Sequence, residues 1–278
     1  MGNAFRAMRE KLNRGQAGPG CPSGYSSPIQ ARRLGPSMRS LFTEAKRIYN
    51  SDRGVDDYRS GFELLRRAAA MGHVGAHEWL GAVYDYGLGT RPNRRLAFKH
   101  YKFAADSGNP NAEYHMGVFY HEGLAVSRDH RIAVAWLRKA MRRGDATATY
   151  WLGQCYLHGR GVRKNEKKGF ELELAAARRH VLEAQYSVGL CYESGQGVPS
   201  DATKAFRWYL IAAKRGYKDA ARCLARLYES RCGTAVNKQK AEYWYRRARG
   251  EQPNLATSRQ NVSALSKPGA RNLVPGGT

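Results

Sequence analysis

A period of 36 residues governs this chain. Tyrosine recurs at Tyr84, Tyr120, Tyr156, Tyr192 and Tyr228, and alanine at Ala68, Ala104, Ala140, Ala176, Ala212 and Ala248, with no insertion in either ladder. A copy of that length is one supersecondary unit that cannot bury its own apolar face, so copies must stack on their neighbours.

Within a copy the apolar spacing specifies two helices. The segments 76–84, 112–120, 148–156 and 184–192 place small or apolar residues at i, i+4, i+7 and i+8, the stripe of a first helix, A. After each ladder tyrosine comes a stop signal: Gly87 and Gly89, Gly159 and Gly161, Gly195 and Gly197 lie where a helix must end and the chain turn. A second stripe follows, as in Ala205, Phe206, Trp208, Tyr209, Ala212 and Ala213, and ends at Gly216, with Gly72, Gly108 and Gly144 at matching positions. That is helix B. Gly81, Gly117, Gly153 and Gly189 fall inside helix A, where each costs about 1 kcal/mol of helix propensity relative to alanine. Close helix contact is the expected return.

The pattern A-x-Y-x-L-G-x-x-Y-x-x-G-x-G-V followed by K-A-x-x-W-Y-x-x-A-A-x-x-G resembles the Sel1-like repeat, a relative of the tetratricopeptide repeat. Residues 184–219 match it almost fully, 76–183 hold three more copies, 220–250 a degraded one and 41–75 a divergent first one. His180 stands at a glycine position, Leu172 at the helix B aromatic, and Ala225 and Arg231 at glycine positions of the last copy. The resemblance implies an all-α, right-handed α-solenoid of about six stacked helix-turn-helix repeats over 41–250. It implies a non-catalytic interaction scaffold or adaptor.

Function is then sought in positions the period leaves free. Opposite the alanine and leucine stripe, helix A carries Tyr114, Tyr150, Tyr186 and Arg222 at one level, and Gln154 and Arg226 at another. Copies stacked roughly 10 Å apart turn these into a ladder on an expected concave face, with Trp79 and Trp151 as edge anchors. The tyrosines equally suit packing between copies. A second ladder closes helix B: Arg142 and Arg143, Arg178 and Arg179, Lys214 and Arg215. Cations there favour the helix macrodipole, and the same charge suits an acidic partner or RNA phosphates.

Composition sharpens the alternatives. The formal net charge of +24 favours polyanionic surroundings, and arginine supplies 33 of the 47 basic residues. A protein or peptide partner on the concave face is the first expectation; a basic component of a ribonucleoprotein, such as a mitochondrial ribosome, is the second. No run of apolar residues is long enough to span a bilayer. Cys21, Cys155, Cys191, Cys223 and Cys232 contain no C-x-x-C pair, which argues against structural zinc and fits a reducing compartment. The glycine loops lack the continuation of a phosphate cradle, and His73 and His77 flank a junction between copies, so neither cofactor nor metal is expected.

Residues 1–40 carry seven basic residues against Glu10 alone, with Phe5, Met8 and Leu12 on one face of a short helix. This resembles a mitochondrial transit peptide, matrix location following from it, or reads as a disordered basic arm of a cytoplasmic protein. Residues 251–278, with Pro253, Pro268 and Pro275, read as a flexible tail.

Overall fold

The computed structural model describes residues 37–51, 55–230 and 233–251. The expectations for the N-terminal forty residues and the C-terminal tail lie outside them, apart from residues 37–40 and 251.

Twelve α-helices and no strand occur among the described residues: α1 Met38–Asn50, α2 Val55–Ala70, α3 Val74–Tyr86, α4 Arg94–Asp106, α5 Pro110–Glu122, α6 His130–Arg142, α7 Ala146–His158, α8 Glu166–Arg178, α9 Leu182–Ser194, α10 Ala202–Lys214, α11 Lys218–Ser230 and α12 Lys238–Arg249. They form six pairs, each of a helix A and a helix B, in an all-α solenoid fold. The first helix begins at Met38, three residues before the expected start of the repeat block. Ser37 accepts a hydrogen bond from the Ser40 amide at 3.2 Å and caps it.

The chain divides into two compact units, one ending at Val181 and the other beginning at Leu182. In the first, α2 packs on α3, α4 on α5 and α6 on α7, besides the contacts within each pair; in the second, α10 packs on α11. Each neighbour covers the apolar face its predecessor leaves open.

The alanine ladder lies in the core. Ala68, Ala104, Ala140, Ala176 and Ala212 have no exposed surface and Ala248 almost none. The glycines inside helix A work as expected: a Cβ on Gly81 would lie 2.6 Å from the Tyr101 ring, on Gly117 2.7 Å from Leu137, on Gly153 2.8 Å from Glu173 and on Gly189 2.5 Å from Tyr209. Each glycine thus admits the side chain that stands twenty residues later on helix B. The propensity lost is exchanged for a close helix-helix approach.

One further ladder fixes the turn. Asn93, Asp129, Asn165, Asp201 and Asn237 cap the helices that follow them, each accepting from a backbone amide two or three residues on. Their own amides donate to the carbonyls of Tyr84, Tyr120, Tyr156, Tyr192 and Tyr228 at 2.7–2.9 Å. One residue therefore starts helix B and ties it to the end of helix A. Such caps contribute about 1 kcal/mol each.

Candidate functional site

The helix A ladder divides by burial. Trp79 is 1% exposed, its ring 5.9 Å from that of Tyr49 and 6.1 Å, edge-on, from Phe42. Tyr114 is 6% exposed and packs beside His115. These two are core residues, and the expectation that they offer a surface is corrected. For Trp79 the reason is that α1 supplies aromatic neighbours, Phe42 and Tyr49, that position alone does not reveal.

Tyr150 and Trp151 are half-buried, their rings 6.2 Å apart and edge to face, and Trp151 meets His121 at 5.2 Å. Gln154 turns inward and donates to the carboxylate of Glu173, which is fully buried. It satisfies an internal charge. In the second unit the Tyr186 ring packs, tilted, against those of Tyr209 at 5.8 Å and Tyr217 at 4.9 Å, and burial pushes its hydroxyl up to about 12. Arg222 and Arg226 are exposed, pairing with Asp219 at 2.6 Å and Glu193 at 2.5 Å. With Cys223, Tyr245 and Arg249 they line a cleft of about 370 Å³.

The basic ladder at the end of helix B also divides, by column. Arg143 donates to the buried Glu113 at 3.2 Å, Arg215 to the buried Gln185 at 2.8 Å, and Arg179 to the carbonyl of Gly144 at 2.6 Å. An antiparallel pair brings the end of helix B beside the start of helix A, and these side chains staple the two ends. Arg142, Arg178 and Lys214 are exposed and form no ion pair among the described residues. Arg142 and Lys139 line a cleft of about 550 Å³ with Asp106, Glu113 and Arg143.

Three carboxyl groups that the sequence reading did not single out are buried among the described residues: Glu78, Glu113 and Glu173. Burial raises the Glu78 carboxyl to about 7, against donors from Asn111 and Asn109 and the charge of Lys46. Their signal was present only as single acidic residues in columns that no other copy fills with an acid.

His73 caps α3 through Nδ1, while His77 reaches His100, Nδ1 to Nδ1 at 3.0 Å. His77 Nε2 lies 3.2 Å from the Ala69 carbonyl, which only accepts, so that nitrogen carries the proton and His100 donates to His77. Desolvation lowers both histidines, His100 to about 4. No group of three His, Cys, Asp or Glu side chains suited to a metal occurs among the described residues. Cys155 and Cys191 are buried as expected of small apolar residues, and burial pushes the Cys155 thiol to about 11. A thiol held there is no nucleophile at neutral pH.

No helix among the described residues is long and apolar enough to cross a membrane. The Sel1 repeat model matches residues 47–73, 75–109, 110–145, 146–180, 182–217 and 219–249. Among solved structures, a Sel1 repeat protein from Oxalobacter formigenes is 28% identical with a TM-score of 0.62, over 78% of this chain and 88% of that one. The protective antigen c5321 of uropathogenic Escherichia coli, which displays an SLR fold, is 26% identical with a TM-score of 0.64, over 77% of this chain and 46% of that one. The immunity protein PA5088 from Pseudomonas aeruginosa is 20% identical with a TM-score of 0.55 and shares the fold, over 86% and 94%. No curated protein is a match to the chain. Repeats of this kind generally serve as protein-interaction scaffolds. With six matched copies covering more than half its length, the chain belongs to the Sel1 repeat family.

Proposed function

We propose that the protein is a non-catalytic scaffold that holds a protein or peptide segment on the free positions of its A helices. The observation that carries this reading is the division of the ladder. The alanine ladder and the glycines inside the A helices are buried, while Tyr150, Trp151, Arg222 and Arg226 keep exposed or half-exposed aromatic and guanidinium surface. Such side chains are over-represented among those that dominate protein interfaces. Affinity purification with crosslinking tests it: a protein crosslinked to α7 or α11 supports the reading, and recovery of RNA with no protein partner overturns it.

A second reading, a basic component of a ribonucleoprotein, draws on the exposed column Arg142, Arg178 and Lys214. It requires affinity for RNA that falls steeply with salt, and the loss of about one unit of salt slope per arginine removed. For compartment, the basic N-terminal sequence supports the mitochondrial matrix. Retention of those forty residues in a cytoplasmic mature protein would sink that proposal.

A further inference from the structure

Four cations converge on one place in the first unit. Arg138 from α6, Arg163 and Lys164 from the turn after α7, and Lys168 from the first turn of α8 line a cleft of about 590 Å³ with Tyr156, Val162 and Asn165. Arg138 donates to the Tyr156 hydroxyl at 3.0 Å, and the Lys168 ammonium lies 4.5 Å from the centre of the Tyr156 ring. Asn165 closes the turn by donating to the Tyr156 carbonyl and caps α8, so the cluster is held against the helix pair. Lys164 is paired with Glu166 at 2.7 Å.

The repeat supplies Lys168, whose counterparts Lys204 and Lys240 lie over Tyr192 and Tyr228 at 5.4 and 5.6 Å, but it does not bring four cations together in the copies on either side. At the matching positions one copy earlier stand Lys102, Ser127, Arg128 and Ile132, and one copy later Leu174, Pro199, Ser200 and Lys204. Two cations and one cation replace four. Nor does helix stability explain it, because cations in the first turn of α8 oppose the macrodipole.

We infer that this cleft binds the phosphate of a phosphoserine- or phosphothreonine-bearing segment of a protein partner, an inference that rests on the scaffold reading. A phosphomonoester brings a charge of about −1.5 to −2 and three acceptor oxygens, matching two guanidinium forks and two ammonium groups better than one carboxylate does. RNA fits less well. Its phosphates are spaced along a strand, whereas these cations line a single cleft, and the Tyr156 ring, 9% exposed, lies under Lys168. None of the exposed large apolar side chains lines the cleft, which disfavours a lipid surface.

The test uses the full chain on an array of phosphoserine and phosphothreonine peptides, each beside its unphosphorylated and glutamate-substituted copies. A fluorescent single-stranded RNA and vesicles containing phosphoinositide are measured in parallel. Phosphorylated peptides are expected to bind about tenfold better than their glutamate copies. The double variant Arg163→Ala, Lys164→Ala, whose side chains are exposed in a turn, is expected to lose that preference while keeping the helical circular dichroism of the parent. Equal binding of phosphorylated and glutamate copies, an undiminished preference in the variant, or binding of RNA or vesicles alone overturns the inference. Phosphatase treatment separates the two proposals: a partner captured equally well after it leaves the scaffold standing and removes the phosphate site. Phosphopeptide binding with no captured partner does the reverse.

Discussion

Arg143 and Glu113 are joined across thirty residues by a hydrogen bond of 3.2 Å from Nε to Oε1, with the carboxylate 3% exposed and the arginine side chain 54%. The bond ties the end of α6 to the first turn of α5. Removing the arginine leaves a buried charge with its donor gone, whereas removing the charge leaves an amide that is cheaper to bury. Arg143→Ala is therefore expected to destabilise the chain by about 2 kcal/mol and Glu113→Gln by roughly half of that. Urea denaturation followed by circular dichroism reads both. Equal losses would show that the pair is not acting through the buried carboxylate.

The contact of Gly189 with Tyr209 makes a second expectation. A methyl group placed on Gly189 meets the ring at 2.5 Å, and the ring is fully buried, with its hydroxyl donating to Glu193. The ring cannot yield without breaking that bond. Gly189→Ala should cost about 1–3 kcal/mol despite the better helix propensity of alanine. The control is Gly195, which ends α9 and whose Cβ would meet nothing nearer than 3.6 Å. There the penalty is that of the left-handed backbone, φ 76°, about 1 kcal/mol. A thermal melt ranking Gly195→Ala below Gly189→Ala would contradict the packing account.

Much of this fold is legible in the sequence because a fixed period superimposes six independent copies of the same packing problem. A residue that must be small recurs as alanine or glycine, and Ala140 or Gly117 is identified by its column. The capping ladder from Asn93 to Asn237 was equally open to reading, since Asn or Asp recurs at 36 residues just before each B helix after the first. The site was less legible. Trp79 belongs to a column filled elsewhere by His115, Trp151, Ser187 and Cys223, but it is buried because the divergent first copy brings Phe42 and Tyr49 to it. A column states which way a side chain leaves the helix. What covers it depends on the residues packed against it, in the same copy or a neighbouring one. For the same reason Arg143 and Arg142, adjacent in the chain, have different fates: one is consumed by Glu113 and the other is left exposed.

Ala125 stands where Gly89, Gly161 and Gly233 stand in other copies, and its φ is 60°, in the left-handed region. His180 is held similarly, at φ 65°, where other copies have glycine. A side chain there costs about 1 kcal/mol that glycine does not. Ala125→Gly should accordingly raise stability by a few tenths of a kcal/mol to about 1, the gain being reduced by the greater freedom of glycine in the unfolded chain. The melting temperature reads the effect, and a fall would mean that the Ala125 methyl contributes packing worth more than its strain.

Glu78 and His100, both in the first unit, give opposite pH dependences. The Glu78 carboxyl titrates near 7 in the fold against 4.5 unfolded, because burial outweighs its donors from Asn111 and Asn109. As pH rises from 4.5 the unfolded chain ionises first, so this group withdraws stability up to about pH 7 and nothing more above it. A rise from 4.5 to about 7 corresponds to roughly 3 kcal/mol. His100 titrates near 4 in the fold against 6.5 unfolded, chiefly through desolvation, so it withdraws stability as pH falls through that window. Glu78→Gln should match the parent near pH 4, exceed it increasingly up to about pH 7 and hold a constant margin above that, whereas His100→Asn should improve on its own neutral-pH difference as the solution is acidified. Denaturation midpoints across pH 4–8, read as variant minus parent, separate the two. A difference for Glu78→Gln that does not change with pH would mean that this carboxyl ionises alike in the folded and unfolded chains.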